Sequence, residues 1–362
     1  MMKIQRISDG IWMQLQRMGG DKKEEHEQIS SESYEHLMIN GRLLLEERVS
    51  LFNGRTNPVK CFSFEELNKI IDINQIHSIG SKWCKGFIDG KVVLVKVSKN
   101  KVQNIIREIV VAAQMSTHTN VHKLLGCCLE YKRPILVYEW VENVSLQDRI
   151  VGDRIENQEI LEWKDRLRIL WEISHVIAYL HTAFPRPIIF KYLTPANVFF
   201  DKNNAVKVSD FSLSVSIPKG KTYLEDGYLQ GTLGYLAPEY MKHFKLSEKV
   251  DVYAFGVLFL VLLTGHTPFS TTNVHNSWEN LEDWVRECVK GNCISEIIDS
   301  RITWNGMTRD ECLQHQQRAS IELALRCTSI EEDIRPTIVE VATQLKTMIS
   351  PIIGSTRFLK VN

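Results

Sequence analysis

The sequence predicts an α+β protein of two lobes, with a strand-rich first lobe and a helical second lobe. Two observations predict it. Short β-branched and aromatic runs crowd between residues 61 and 141, whereas long apolar patterns of helical period take over after Ser145. The change of character falls within "EWVENVSLQD", a polar stretch suited to a connection. The expected units are a flexible extension over 1–30, a helical lead-in over 31–60, the first lobe over 61–141, the second over 142–350 and a tail over 351–362.

The polar run "DKKEEHEQISSES" reads as frayed. From Tyr34, "YEHLMINGRLLLEERVSLFNG" places apolar residues at helical spacing, with Gly54 where the helix should stop. Ser63 and Glu66 form a capping-box pattern ahead of a second helix. "KVVLVKVS" suits a central strand, "NKVQNIIREIVVAAQMS" a helix of four turns, and "VHKLLGCCLE" and "RPILVYEWV" two further strands around an Arg133-Pro134 turn. In "LEWKDRLRILWEISHVIAYLHT", Leu167, Leu170, Ile173, Ile177 and Leu180 share one helix face. "NAVKVSDFSLSV" reads as a small hairpin-like piece. "VYAFGVLFLVLL", Val252 to Leu263, is apolar all round. It is too short for a bilayer, which needs about 20 residues, and so reads as a buried core helix.

Composition excludes several classes of function. Lys+Arg and Asp+Glu balance at 44 each, so no global field draws nucleic acid or an anionic membrane. The eight cysteines show no C-x-x-C spacing, which argues against zinc and for free thiols in a reducing compartment. The N-terminus has neither a signal-peptide core nor Gly at position 2, so a cytosolic protein without a transmembrane segment is expected.

Several motifs carry chemistry. Lys96 stands in an otherwise apolar strand and needs a partner if buried, with Glu108 on the next helix the natural candidate; alone, it could equally snorkel from an edge strand. "SDFS" holds Asp210. "GTLGYLAPEY" contains Ala237-Pro238-Glu239, followed by Asp251 in "KVDVYAFGV" and by Arg335-Pro336. The order Lys96, Glu108, Asn197, Asp210, Glu239, Asp251, Arg335 resembles that of the protein kinases. The resemblance implies a Lys96–Glu108 pair at the nucleotide phosphates, Mg²⁺ at Asn197 and Asp210, and structural roles for Glu239, Asp251 and Arg335.

The devices for phosphate transfer depart from that pattern. "IIFKYLTPANVFFD" stands where H-R-D-x-x-x-x-N is expected, with Phe190, Lys191 and Tyr192 in the His, Arg and Asp places and only Asn197 kept. The Lys expected two residues after the Asp is Thr194, and the Gly of D-F-G is Ser212. Upstream, "SIGSKWCKGFIDGK" keeps Gly80 and Gly86 without G-x-G-x-x-G spacing, and Lys82 and Trp83 would crowd an approaching phosphate. An ordinary hairpin and a vestigial nucleotide loop both fit. A neutral phenol is a poor base at pH 7. Loss of general-base assistance alone costs roughly 10²–10⁴ in rate. Lys191 is a poorer bidentate reader of a phosphorylated loop than Arg. The segment Ser212 to Gln230 is then free to present Lys219, Lys221, Tyr223 and Tyr228 to a partner, or to move as a plain loop.

Over about residues 60 to 350 the chain resembles plant receptor-like cytoplasmic kinases. "LLGCCLE", "LVYEWV" and "SEKVDVYAFGVLFLVLLTG" are similar to the wall-associated-kinase branch, and "INGRLLLEERVSLFNGRTNPVKCFSFEEL" is similar to the front of the ZRK-type pseudokinases. The resemblance implies a cytoplasmic adaptor in plant immunity, recruited to the plasma membrane only through partners. Its implied partners are the leucine-rich-repeat domain of a ZAR-type coiled-coil NLR, other receptor-like cytoplasmic kinases, and bacterial effector enzymes. No cofactor is required for that role, and ATP/Mg²⁺ binding stays open.

Overall fold

The computed structural model describes residues 23–55, 57–71, 83–141, 144–151, 161–271, 278–302 and 311–358. Helix α1 (Lys23–Phe52) leads into strand β1 (Lys60–Cys61) and helix α2 (Phe64–Ile70). Strands β2 (Trp83–Ile88) and β3 (Lys91–Val97), helix α3 (Val102–Gln114), and strands β4 (Leu124–Cys128) and β5 (Ile135–Glu139) complete the first lobe. Its sheet has the order β1-β4-β5-β3-β2, with β1 parallel to β4 and the other neighbours antiparallel.

Both faces of this sheet are covered, which is why β5 reads as an unbroken apolar run. On one side lie Ile105, Ile109 and Ala112 of α3, continuous with the core of the second lobe. On the other, α2 lays Leu67 and Ile70 against Cys84, Val93, Val95 and Val137. The Ser63/Glu66 capping box starts α2, with the Ser63 hydroxyl accepting from Glu66 N at 3.1 Å and Ser63 N donating to the Glu66 carboxylate at 2.9 Å. Two glycines let this layer approach. A Cβ on Gly126 would lie 2.5 Å from the Lys60 carbonyl and the Phe62 ring, and one on Gly86 would lie 2.7 Å from the Ile70 carbonyl. Gly86 therefore serves packing, whereas Gly80 and Lys82 lie outside the described residues.

The second lobe is built on helices α4 (Leu146–Val151), α5 (Trp163–Thr182), α6 (Pro238–His243), α7 (Glu248–Thr264), α8 (Leu281–Lys290), α9 (Ile294–Ile297), α10 (Glu311–Cys327) and α11 (Ile338–Phe358). Helix α7 is buried from Val250 to Thr264, and all five predicted positions on α5 are buried. The expected hairpin is shifted along the chain, since Val198–Phe200 pairs antiparallel with Val206–Val208 around Asp201–Ala205. No helix of the described residues is long and apolar enough to cross a membrane.

Helix α1 begins at Lys23, inside the stretch whose polar composition suggests an extension, and stops where Asn53 and Gly54 turn left-handed (φ 52° and 76°). It touches both lobes. Asn40 is buried and donates to the carbonyls of Leu129 and Tyr131, each at 2.8 Å, while Glu47 pairs with Arg107 of α3 at 2.8 Å. At the far end Arg186 of the second lobe donates to the Ser50 and Leu51 carbonyls, and Phe52 packs on Phe184 with centroids 5.3 Å apart. Asn40→Leu would leave two carbonyls unpaired and is expected to cost about 2–4 kcal/mol in urea unfolding, with α1 becoming the first protease-sensitive segment.

Candidate functional site

The site lies where the two lobes meet, and its centre is Lys96. The β3–β5 register places Lys96 opposite Leu136 and Leu94 opposite Tyr138. These side chains share a face, so strand alternation turns the lysine toward α3. Its ammonium lies 2.7 and 2.9 Å from the two oxygens of Glu108 and 3.0 Å from Asp210 Oδ2. Tyr138 donates its hydroxyl to Glu108 at 2.7 Å. Burial alone would strip the Lys96 proton, but the two carboxylates outweigh it and hold the ammonium above the usual lysine range. Burial, reinforced by Asp210, pushes the Glu108 carboxyl upward against the pull of Lys96.

Asp210 sits at φ 68°, a left-handed conformation that short polar side chains tolerate. Ser212 donates its hydroxyl to Asp210 Oδ1 at 2.6 Å and is itself absent from the left-handed residues. Ser212, in the place of the Gly, thus adds a local hydrogen bond without needing a left-handed backbone. With Oδ2 on Lys96 and Oδ1 on Ser212, the Asp210 carboxylate is engaged on both oxygens. Asn197 turns its amide back to donate to the Tyr192 carbonyl at 2.9 Å. Among the described residues no group of three His, Cys, Asp or Glu side chains is placed to hold a metal ion. A Mg²⁺ ion at Asn197 and Asp210 would have to share a carboxylate whose oxygens already meet Lys96 and Ser212.

The loop "IIFKYLTPAN" is held from below by Asp251. This buried carboxylate accepts from Phe190 N at 2.7 Å, Lys191 N at 2.8 Å and His181 Nε2 at 2.9 Å. Phe190 replaces a polar ring by an apolar one and packs on Phe211 with centroids 5.3 Å apart. Tyr192 is half-buried and hydrogen-bonded to Thr232; burial, and then the charge of Asp210, push its phenol above the usual range. Thr194 is buried and precedes the turn Pro195–Asn197.

Lys191, at φ 66°, points its ammonium onto Asp226 of the segment after Ser212, within reach of Gln230. Tyr240 donates its hydroxyl to Asp226 at 3.0 Å and accepts from Gln230 N at 2.9 Å. Burial raises the Asp226 carboxyl, but Lys191 overrides it and the net direction is downward. Farther out, Glu239 and Arg335 form a two-pronged pair at 2.7 and 2.8 Å. Arg335 also donates to the carbonyls of Ser329 and Lys249 and lies over the Tyr253 ring. Lys219, Lys221, Tyr223 and Tyr228 are exposed, with Lys245 over the Tyr223 ring and Lys101 over that of Tyr228.

Sequence reasoning missed two participants and read a third only in part. Tyr138 was findable from strand alternation. His122 is buried, donating from Nε2 to the Glu139 carbonyl at 2.9 Å and meeting Ser209 Oγ with Nδ1 at 3.2 Å, so it joins the lobe junction to the residue before Asp210. Trp83 has a larger role than crowding. Its indole reaches from β2 across the junction to Phe199 of the second lobe, with centroids 6.1 Å apart, and flanks Tyr138, His122 and Lys96. The two rings meet edge to face, at 77°, so they are in direct contact across the junction.

Two outcomes follow. Lys96→Met leaves two buried carboxylates unmatched and is expected to cost about 3–5 kcal/mol in urea unfolding, against less than about 1 kcal/mol for Tyr192→Phe. Burial draws the His122 ring down to about 4, so the unfolded chain takes up a proton near pH 6.5 that the folded one refuses. Stability should therefore fall as pH drops from 6.5 toward 4, by up to about 3 kcal/mol, and His122→Gln should flatten that slope in denaturant midpoints measured across the range.

Residues 83–345 match the protein kinase domain model. The chain is 39% identical over 322 residues to the non-functional pseudokinase ZED1 of Arabidopsis thaliana, spanning 85% of this chain and 94% of that protein. It is 36% identical over 324 residues to the serine/threonine-protein kinase ZRK1 of the same plant, spanning 85% and 90%. It is also 37% identical over 317 residues to wall-associated receptor kinase-like 4, spanning 85% of this chain but only 40% of that longer protein.

Proposed function

Because the chain belongs to the protein kinase family, among its ZRK and wall-associated-kinase-like members, we propose that it is a catalytically inactive kinase, a pseudokinase, that works as a binding module. The observation that carries this reading is the phenol of Tyr192 at the place of the catalytic carboxylate, with its pKa moved further from that of a useful base. Two features add to it. Lys96 is neutralised by the protein's own carboxylates, and Trp83 bridges the lobes where a flat base would have to enter. The likeness to a protein named a non-functional pseudokinase points the same way.

The adaptor role rests on the resemblance to ZRK-type proteins. On that reading the chain links the repeat domain of a coiled-coil NLR receptor to host kinases altered by bacterial effectors, in the cytoplasm and at the plasma membrane through those partners. The exposed Lys219, Lys221, Tyr223 and Tyr228 form its partner-facing surface. The rival reading is slow serine/threonine phosphotransfer, or a nucleotide held as a structural switch. It is favoured by Lys96, Glu108, Asn197 and Asp210, and by a relative named a serine/threonine-protein kinase.

Radiolabelled ATP with Mg²⁺ or Mn²⁺ separates the readings. Incorporation into the protein or a generic substrate is expected to equal that of Lys96→Met and of Asp210→Asn, and a signal clearly above both variants would establish the rival. The adaptor role has its own assay: the purified protein should retain an NLR repeat domain at micromolar concentrations, and absence of retention would remove that part.

A further inference from the structure

Beneath helix α1, two cysteines from different strands meet. The parallel β1–β4 register sets Lys60 opposite Gly126 and Cys61 opposite Cys127, so the two thiols project from the same face of neighbouring strands. Neighbouring strands run about 4.8 Å apart, within the Cα separation that a disulfide accepts. The pair is unequal. Cys61 is exposed at the sheet edge, whereas Cys127 is fully buried behind it.

The surroundings sort the two thiols into different roles. The adjacent Cys127 thiol draws the Cys61 thiol down to about 7; burial opposes, and the charge of Arg48 on α1 assists. The adjacent Cys61 sulfur, and then burial, hold Cys127 well above the usual thiol range. Burial also raises Cys84, Cys128 and Cys327. Exposure, a neighbouring cation and a nearby second thiol are the features of a cysteine that reacts with peroxide and is then resolved.

We propose that Cys61 and Cys127 form a peroxide-responsive dithiol whose oxidation staples β1 to β4. The Cys61 thiolate attacks one oxygen of hydrogen peroxide, the O–O bond breaks, and the departing hydroxide takes a proton to become water, leaving a sulfenic acid. Cys61 then no longer carries the thiolate that held the Cys127 proton. Cys127 loses that proton and attacks the Cys61 sulfur; the S–S bond forms, the S–O bond breaks, and hydroxide leaves as a second water. The two thiols have been oxidised by two electrons and one peroxide reduced to two waters. The staple fastens β1, and with it the α2 layer that follows, to β4.

The test treats the reduced full-length protein with a small excess of hydrogen peroxide at pH 7, blocks residual thiols with iodoacetamide, and maps peptides by mass spectrometry without reductant. The expected product is a Cys61–Cys127 peptide pair, formed before other cysteines react and reversed by dithiothreitol. In Cys127→Ser, Cys61 should stop at sulfenic acid and take up dimedone. In Cys61→Ser, whose altered side chain is exposed, Cys127 should stay a thiol at the same peroxide dose. The inference is overturned if Cys61 proceeds to sulfinic acid beside an intact Cys127 thiol, if Cys127 oxidises equally in Cys61→Ser, or if Cys61 reacts no faster than Cys293.

Discussion

The Lys96 ammonium is the point on which the arrangement of the lobes depends. It joins β3, through Glu108 to α3, and through Asp210 to the start of the segment running to Glu239. Removing a charge from water costs several kcal/mol unless it is matched, and one ammonium between two carboxylates leaves an excess negative charge. That excess is shared with hydroxyl donors: Tyr138 gives to Glu108 and Ser212 to Asp210. Each member justifies the burial of the others. Residues associated with nucleotide chemistry thereby also carry the packing of the lobe junction.

The lead-in segment has a comparable structural standing. A sheet whose strands are apolar on both faces needs two covers, and α3 supplies only one. The β1–α2 stretch supplies the second, with Gly126 and Gly86 giving it room. Helix α1 then ties this lobe to the next through Asn40 at one end and Arg186 and Phe184 at the other. Both lobes are therefore held through α1 as well as through the Lys96 cluster at their junction.

Most of the fold was legible because its signals are local. The apolar run of α7, the single face of α5, the capping box at Ser63 and the stop at Gly54 each lie within one or two turns of chain. The Lys96–Glu108 and Glu239–Arg335 pairs were legible as well, but through the ordered motif pattern rather than through spacing alone. What escaped depends on tertiary proximity. Nothing near Asp226 announces that Lys191, 35 residues earlier, will face it. The span of Trp83 to Phe199 and the meeting of Cys61 with Cys127 appear only once strands are in register. The start of α1 at Lys23 has no local signal either, since a charged stretch there continues a helix whose apolar positions begin farther along.

Asp226 gives the segment after Ser212 an unusual independence. Where a phosphoryl group organises such a segment, the shape exists only after another enzyme has acted and vanishes when a phosphatase follows. Here the anion facing Lys191 is written into the chain, with Tyr240 and Gln230 arranged around it. The charge that orders this segment is therefore present from synthesis. Its order needs no second enzyme to install the anion and none to remove it.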